Sequence, residues 1–181
     1  MTTTTLDAAH ERADELFAKH GTVFGDDLTR YRGHVHRVIG LVGLQQQIPT
    51  ESVDAFATAA FFHDAGIWFD STLDYLEPSA ARAVAEIGGA EHPQAELVSA
   101  LITEHHRLRR AKHDDPLVEA LRRADLTDVC AGFIPVPGSG RTQYKQLVRK
   151  YPMVGFHPML VRALGRAVRE NPRRPVPFLK F

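Results

Sequence analysis

With 181 residues, 44% of them hydrophobic, the chain is long enough for one globular domain with a hydrophobic core and leaves little room for two. Its 22 basic residues balance its 22 acidic residues, so we expect no general electrostatic affinity for nucleic-acid polymers or for an acidic membrane surface. The single cysteine, Cys130, excludes an intrachain disulfide, and no membrane-spanning run or signal-peptide pattern is found, so we expect a cytoplasmic protein.

Helical periodicity dominates the chain, and no segment shows the alternation of a β-strand. In chain order, helices are predicted over about residues 6–20, 28–46, 52–64, 78–88, 93–109, 115–131, 141–150 and 158–170. Asp115 and Pro116 give a clear start signal, an N-cap followed by a first-turn proline. Residues 66–77 and 135–140 are expected to be loops. We therefore predict an all-α fold, a compact helical bundle forming a single domain over residues 1–181.

The C-terminal tail, residues 171–181, contains three prolines and is expected to be extended. Its apolar residues Phe178, Leu179 and Phe181 are expected to pack on the body of the protein or on a partner chain. The tail therefore leaves a homo-oligomer open.

Histidine is abundant, with ten residues that fall into groups along the chain. On the second predicted helix, His34 shares a face with Val38 and Leu41, whereas His36 points to a different face. We therefore expect His34 to face the core and His36 to face away from it.

His63 and Asp64 end the strongly apolar third helix. Burying either group without a partner is costly, so something must satisfy both. Two interpretations stay open: His63 bonds a backbone carbonyl while Asp64 caps a neighbouring helix, or both bind a metal ion.

Asp125 lies on the apolar stripe of the sixth helix with Leu117 and Leu121, where a carboxylate needs a cation or several donors. Asp128, one turn later, is expected to be solvated. Inward-facing carboxylates and imidazoles on separate helices are what a metal site in a helical bundle requires. Mixed nitrogen and oxygen ligands fit Mn, Fe, Co, Ni or Zn, so the residues predict a divalent transition-metal site.

The fifth helix adds further histidines. His105 is expected to face the core, with His106 one step around the helix. His92 precedes this helix and lies about three turns from His105, too far for one metal to bind both on a straight helix.

Four segments, in this order, resemble motifs of the HD superfamily of metal-dependent phosphohydrolases. They are HVHRV (34–38), AAFFHDAGIW (59–68), LITEHHRL (101–108) and RRADLTDV (122–129). The resemblance covers about residues 28–130 and leaves the C-terminal helices and tail, 141–181, outside it. It implies an HD-type helical domain whose primary metal ligands are His34, His63, Asp64 and Asp125.

The resemblance further implies one metal ion, with a second left open through His92 and His105, and catalytic roles for Asp64, His105 and His106. The leading hypothesis is hydrolysis of a small phosphate ester or nucleotide by a metal-activated water. The predicted substrate-binding residues are Arg37, Arg107, Arg109 and Trp68.

Each of these four substrate contacts has an alternative. Arg107 and Arg109 belong to a basic cluster that could simply complement the end of a helix dipole, and Arg37 could pair with a loop acid. Trp68 could pack under the fourth helix.

Two other activities also occur on HD-type folds. A dinuclear iron oxygenase would use the ligand set His34, His63, Asp64, His92, His105 and Asp125. A cyanamide-hydratase-like enzyme would hydrate a small nitrile and would need no phosphate clamp. A binding module with a degenerate site is the non-enzymatic alternative.

Overall fold

The computed structural model of the protein describes residues 4–170, except for the side chains at 159, 160, 163, 164, 166, 167 and 170. Over this range the chain forms helices and no β-strand, which confirms the all-α prediction. The helices are α1 (Thr5–His20), α2 (Leu28–Gly43), α3 (Val53–Phe62), α4 (Gly66–Phe69), α5 (Leu76–Glu86), α6 (Ala95–Thr103), α7 (Pro116–Val129), α8 (Arg141–Lys150) and α9 (Phe156–Glu170). The predicted extended tail lies outside the described residues.

Capping residues set the starts of two helices. Thr4 and Asp7 form a reciprocal capping box at the start of α1. At the start of α7, the Asp115 carboxylate accepts a hydrogen bond of 2.8 Å from the backbone N–H of Leu117, and Pro116 follows in the first turn. The predicted start signal is therefore confirmed. Among the described helices, none is both long and apolar enough to cross a membrane.

The helix predicted over 93–109 is shorter than expected, because α6 ends at Thr103. The chain turns at Glu104, whose carboxylate accepts a hydrogen bond of 2.8 Å from the backbone of Lys112 and pairs with Arg107. Consecutive residues on a continuous helix point ~100° apart. The turn instead lets His105 and His106 approach the same carboxylate. A single helical turn, α4, also interrupts the predicted loop 66–77.

The central helix of the bundle is α2, which packs against α1, α3, α7 and α8. Every residue from 33 to 42 is buried, so the helix has no solvent-facing side over this stretch. Three of these residues, His34, His36 and Arg37, are polar, and each needs a partner inside the protein.

The prediction that His36 faces away from the core is wrong, because α1 covers that side of α2. His36 is only 3% exposed, and its Nε2 donates to Asp14 Oδ1 at 2.7 Å. Its Nδ1 lies 2.9 Å from His10 Nδ1, and Tyr151 stacks on both imidazoles. His36 therefore belongs to a polar cluster between α1 and α2, separate from the site described next.

Candidate metal centre

Four buried side chains from three parts of the bundle meet in one place. His34 comes from the middle of α2, His63 and Asp64 directly follow α3, and Asp125 lies on α7. Each offers one ligand atom, and these atoms all lie within 4.8 Å of one another. The structure thus brings together the four residues predicted as primary ligands, in an arrangement that could hold a metal ion.

Hydrogen bonds on the outer side of each imidazole fix its orientation. His34 Nδ1 lies 2.8 Å from Asp128 Oδ2, and His63 Nδ1 lies 2.8 Å from the carbonyl oxygen of Ala60. A carboxylate and a carbonyl only accept, so both Nδ1 atoms must carry the proton. In the neutral rings, both Nε2 lone pairs then point inward, and the two Nε2 atoms are 3.0 Å apart. Two lone pairs at this distance repel unless a cation or proton lies between them.

The buried carboxylates of the site also need a positive charge nearby. Asp125 Oδ1 is buried, and it has no hydrogen-bond partner among the described residues unless a neighbouring imidazole takes a second proton. Burial alone would lower the pKa of His34, but hydrogen bonding to Asp125 and Asp128 outweighs it and raises that pKa to about 9. Without a metal ion, the site therefore favours a second proton on the His34 ring.

The spacing of the four ligand atoms suits a first-row transition metal. With bonds of ~2.1 Å, two ligands lie ~3.0 Å apart at right angles and ~3.4 Å apart at the tetrahedral angle. His34 Nε2 is 3.0 Å from His63 Nε2 and 3.3 Å from Asp125 Oδ1, and His63 Nε2 is 3.5 Å from Asp64 Oδ2. The remaining two imidazole–carboxylate distances are wider than the tetrahedral value, with His63 Nε2 3.7 Å from Asp125 Oδ1 and His34 Nε2 3.9 Å from Asp64 Oδ2. Imidazole and carboxylate together fit the divalent metals from Mn to Zn and do not select one of them.

A second group of ligand atoms lies on the other side of the Asp64 carboxylate. It comprises Asp64, His105 and His106. Asp64 Oδ1 is 3.3 Å from His105 Nε2 and 3.6 Å from His106 Nε2. Burial lowers the pKa of His105 to about 4, so its ring is neutral and its Nδ1 donates to the carbonyl of Ile102 at 2.6 Å.

Tyr75 also belongs to the site, and the contacts of its hydroxyl were not predicted from the sequence. Its Oη donates to Asp64 Oδ1 at 2.7 Å and lies 2.6 Å from His106 Nε2. Burial and the Asp64 charge raise the pKa of Tyr75 well above its usual value, so the hydroxyl keeps its proton. Tyr75 lies in the predicted loop after the His63-Asp64 pair, where helical periodicity gives no facing information.

The structure corrects the prediction for Asp128, which is fully buried rather than solvated. Its carboxylate accepts from His34 on one side and from Arg37 on the other, with Arg37 Nε at 2.7 Å and Nη2 at 2.8 Å. Tyr144 Oη adds a third donor at 3.1 Å. Asp128 therefore orients His34, as carboxylates commonly do behind metal-bound histidines.

The same contacts overturn the substrate-binding role predicted for Arg37. Its guanidinium is fully buried, it pairs with Asp128 on α7 rather than with a loop acid, and it also donates to the carbonyls of Tyr151 and Pro152. Phe156 packs nearby and stacks on the His34 ring at 4.4 Å between centroids. The segment between α8 and α9 thus closes the back of the site.

Each of the other three residues predicted to bind substrate is either paired with a different side chain or exposed. Arg107 pairs with Glu104 at 2.5 Å, and Arg109 is exposed. Trp68 donates to Asp27 at 3.2 Å and packs on Phe24 and Tyr31.

His92 is not brought to the site. It is half-buried beyond the opposite end of α6, where its Nδ1 accepts from the backbone of Gln94. Among the described residues it joins neither group of ligand atoms. The structure therefore removes His92 from the predicted ligand set, because the whole of α6 separates it from His105.

No protein-family model, curated protein or solved structure matches this chain. Its function is therefore inferred from the residues of the site.

Proposed function

We propose that this protein is a metal-dependent hydrolase acting on a small phosphate ester or nucleotide. One observation carries the proposal: His34, His63, Asp64 and Asp125 bring four ligand atoms within 4.8 Å of one another in a buried place. Two of these atoms are the Nε2 atoms of His34 and His63, whose lone pairs point inward in the neutral rings. A third is Asp125 Oδ1, the buried oxygen that lacks a hydrogen-bond partner among the described residues. The cofactor would be one divalent ion of Mn, Fe, Co, Ni or Zn. The order of the HD-like motifs supports this choice of chemistry.

Such an ion supplies a water of lowered pKa and polarises an oxygen of the substrate. Asp64 and Asp125 would orient that water through hydrogen bonds. His106 lies at the edge of the cluster, with 15% of its side chain exposed, between Asp64 Oδ1 at 3.6 Å and Asp125 Oδ2 at 3.7 Å. Two carboxylates favour a proton on this ring, which suits its transfer to the leaving oxygen of an ester. The Tyr75 hydroxyl, which donates to Asp64 Oδ1 at 2.7 Å, keeps Asp64 in position.

Substrate phosphate would be bound by the exposed cations that follow His106, namely Arg109, Arg110 and Lys112. Neither Arg37 nor Arg107 is assigned this role, because Asp128 and Glu104 neutralise them.

This neutralisation favours a second candidate, the hydration of a small uncharged nitrile. Arg37 and Arg107 are held in ion pairs, so a neutral substrate would meet no unbalanced charge from either guanidinium. A dinuclear iron oxygenase is a third candidate, favoured by the second group of ligand atoms around Asp64.

The test is turnover by metal-loaded protein. We expect hydrolysis of p-nitrophenyl phosphate or a nucleoside monophosphate that depends on added metal and is lost in Asp64→Ala. In the double variant R109A/R110A we expect KM to rise about tenfold, because charge-assisted contacts to phosphate are lost. The control R149A, at an exposed position of α8, should leave KM unchanged.

The alternatives give different results in the same experiment. Absence of phosphate-ester turnover with all five metals contradicts the hydrolase. Hydration of cyanamide that is unchanged in R109A/R110A supports the nitrile candidate. Oxygen consumption by protein that holds two irons supports the oxygenase.

The partners and location follow from the same proposal. We expect a small-molecule substrate in the cytoplasm and no nucleic-acid polymer. A homo-oligomer held by the apolar tail stays a proposal, because residues 171–181 lie outside the described part of the chain. Sedimentation of the protein with and without these residues tests it. The same number of chains per particle in both samples would contradict it.

A further inference from the structure

The two oxygens of the Asp64 carboxylate have different surroundings. Oδ2 faces the four-residue site, 3.5 Å from His63 Nε2 and 3.9 Å from His34 Nε2. Oδ1 faces the second group and accepts a hydrogen bond from the Tyr75 hydroxyl at 2.7 Å. The same hydroxyl oxygen lies 2.6 Å from His106 Nε2. Tyr75 therefore engages two of the three residues that could bind a second ion.

A second ion at this group would need the atoms that Tyr75 already holds. A ring nitrogen carries either one proton or one lone pair, so His106 Nε2 cannot bind a metal while it is hydrogen-bonded to Tyr75. Asp64 Oδ1 keeps part of its acceptor capacity, and His105 Nε2 keeps its lone pair. Two ligand atoms at one edge are fewer than a protein site for a transition metal normally supplies.

Local packing keeps the Tyr75 hydroxyl in place. Tyr75 is 2% exposed, and it packs directly on Gly66, where an added Cβ would lie 2.9 Å from Tyr75 Cβ and 3.0 Å from its carbonyl oxygen. Gly66 donates from its backbone N–H to Ser79 Oγ at 2.9 Å, which ties the start of α5 to the segment after Asp64. The backbone and Cβ of Tyr75 are therefore closely packed against Gly66, and the buried ring extends from this point to Asp64 and His106.

We propose that Tyr75 restricts this centre to one metal ion, by holding Asp64 Oδ1 and His106 Nε2, and that removing its hydroxyl opens a second metal site. The inference rests on the proposed function, because it assumes a first ion at His34, His63, Asp64 and Asp125. Tyr75 is a positioning residue, since it acts through Asp64 and His106.

The test counts the ions bound per chain. Metal-free wild-type protein, Tyr75→Phe and Tyr31→Phe are equilibrated with excess Mn²⁺ or Zn²⁺, passed through a desalting column and analysed by mass spectrometry. Tyr31 is the matched control. It is also a buried tyrosine beside Asp64, but its hydroxyl contacts the backbone, with Phe61 O at 2.6 Å and Asp64 N at 3.3 Å, and not the carboxylate.

We expect one ion in the wild type, one in Tyr31→Phe and two in Tyr75→Phe. With Mn²⁺, the two ions in Tyr75→Phe should share the Asp64 carboxylate and give a spin-coupled paramagnetic resonance spectrum. Two ions in the wild type, or one ion in folded Tyr75→Phe, would overturn the inference and leave the first metal site standing. No ion in the wild type would instead contradict the proposed function.

A second variant keeps the inference testable if Tyr75→Phe does not fold. His106→Ala removes a ligand of the second group only, so we expect this variant to retain one ion. Loss of that ion would show that His106 belongs to the occupied site, which the inference denies.

Discussion

Replacing Asp128 by asparagine tests how strongly the interior of the bundle holds the candidate metal ligand His34. The Asp128 carboxylate is fully buried and accepts hydrogen bonds from His34 at 2.8 Å and from Arg37 at 2.7 and 2.8 Å. The amide in Asp128→Asn has a similar shape but no charge. It no longer balances the charge of Arg37, and its one oxygen cannot accept all the hydrogen bonds that Oδ1 and Oδ2 of Asp128 accept from Arg37 and His34.

Two magnitudes follow from these contacts. Loss of the partner behind a metal-bound histidine typically weakens metal affinity ~10–100-fold, which corresponds to about 1.4–2.7 kcal/mol. Because Arg37 keeps its buried charge without a counter-ion, we also expect the free energy of unfolding to fall by about 3–5 kcal/mol.

Metal affinity is measured by competition with a chromophoric chelator, at a temperature where circular dichroism shows intact helices, and stability is measured by urea unfolding. The matched control is Asp14→Asn. Asp14 also accepts from a histidine and an arginine, with His36 Nε2 at 2.7 Å and Arg32 Nε at 3.0 Å, but His36 is not in the metal site. We expect the control to keep wild-type metal affinity.

The reasoning is refuted if folded Asp128→Asn binds metal as tightly as the wild type. It is also refuted if Asp14→Asn loses as much affinity as Asp128→Asn, since the effect would then not pass through His34.

Two further predictions concern stability. Gly66→Ala should lower the free energy of unfolding by about 1–3 kcal/mol, because its Cβ would lie 2.7 Å from Ser79 Oγ and 2.9 Å from Tyr75 Cβ. Gly165→Ala in α9, whose Cβ would meet no atom of the described residues within 4 Å, should instead stabilise slightly, and equal effects in urea unfolding would contradict the packing argument. Burial, and then the nearby His36, lower the pKa of His10 to about 4, below the unfolded value of 6.5, so the unfolded chain binds more protons between these pH values. Stability should therefore fall as pH drops from about 6.5 to 4, by roughly 1–2 kcal/mol after allowance for partial exposure, and His10→Asn should flatten this dependence in pH-resolved thermal melts. If the stability of His10→Asn falls as steeply with pH as that of the wild type, the lowered pKa of His10 is not the cause.

The sequence was sufficient for the all-α class and for most of the helices, and the resemblance to HD-superfamily motifs named the four residues that meet. His34 and Asp125 each lie on an apolar stripe, and His63-Asp64 ends an apolar helix, so burial could be inferred one helix at a time. The contacts of Asp128 with His34 and Arg37 could not be inferred in this way, because they join two helices. Asp128 lies seven residues after Leu121, and Arg37 lies three residues after His34. These spacings place each residue on the same helix face as its predecessor, which is a weak indication of burial.

Other features depended on what covers each helix. The prediction for His36 is wrong because no residue of α2 indicates that α1 packs on that side. The end of α6 at Thr103 carries no glycine or proline signal in the following residues, and it is the turn stabilised by Glu104 that brings His105 and His106 to Asp64. Such facts belong to tertiary packing and lie outside single-helix patterns.

The most direct test of the metal centre is the metal content of the purified protein and of Asp125→Ala after equilibration with each of the five candidate metals. We predict one tightly held divalent ion per wild-type chain, and no retained ion in Asp125→Ala with its helical circular-dichroism signal intact. A wild-type chain that retains none of the five metals, or an Asp125→Ala variant that retains as much as the wild type, would contradict the assignment of His34, His63, Asp64 and Asp125 as a metal site.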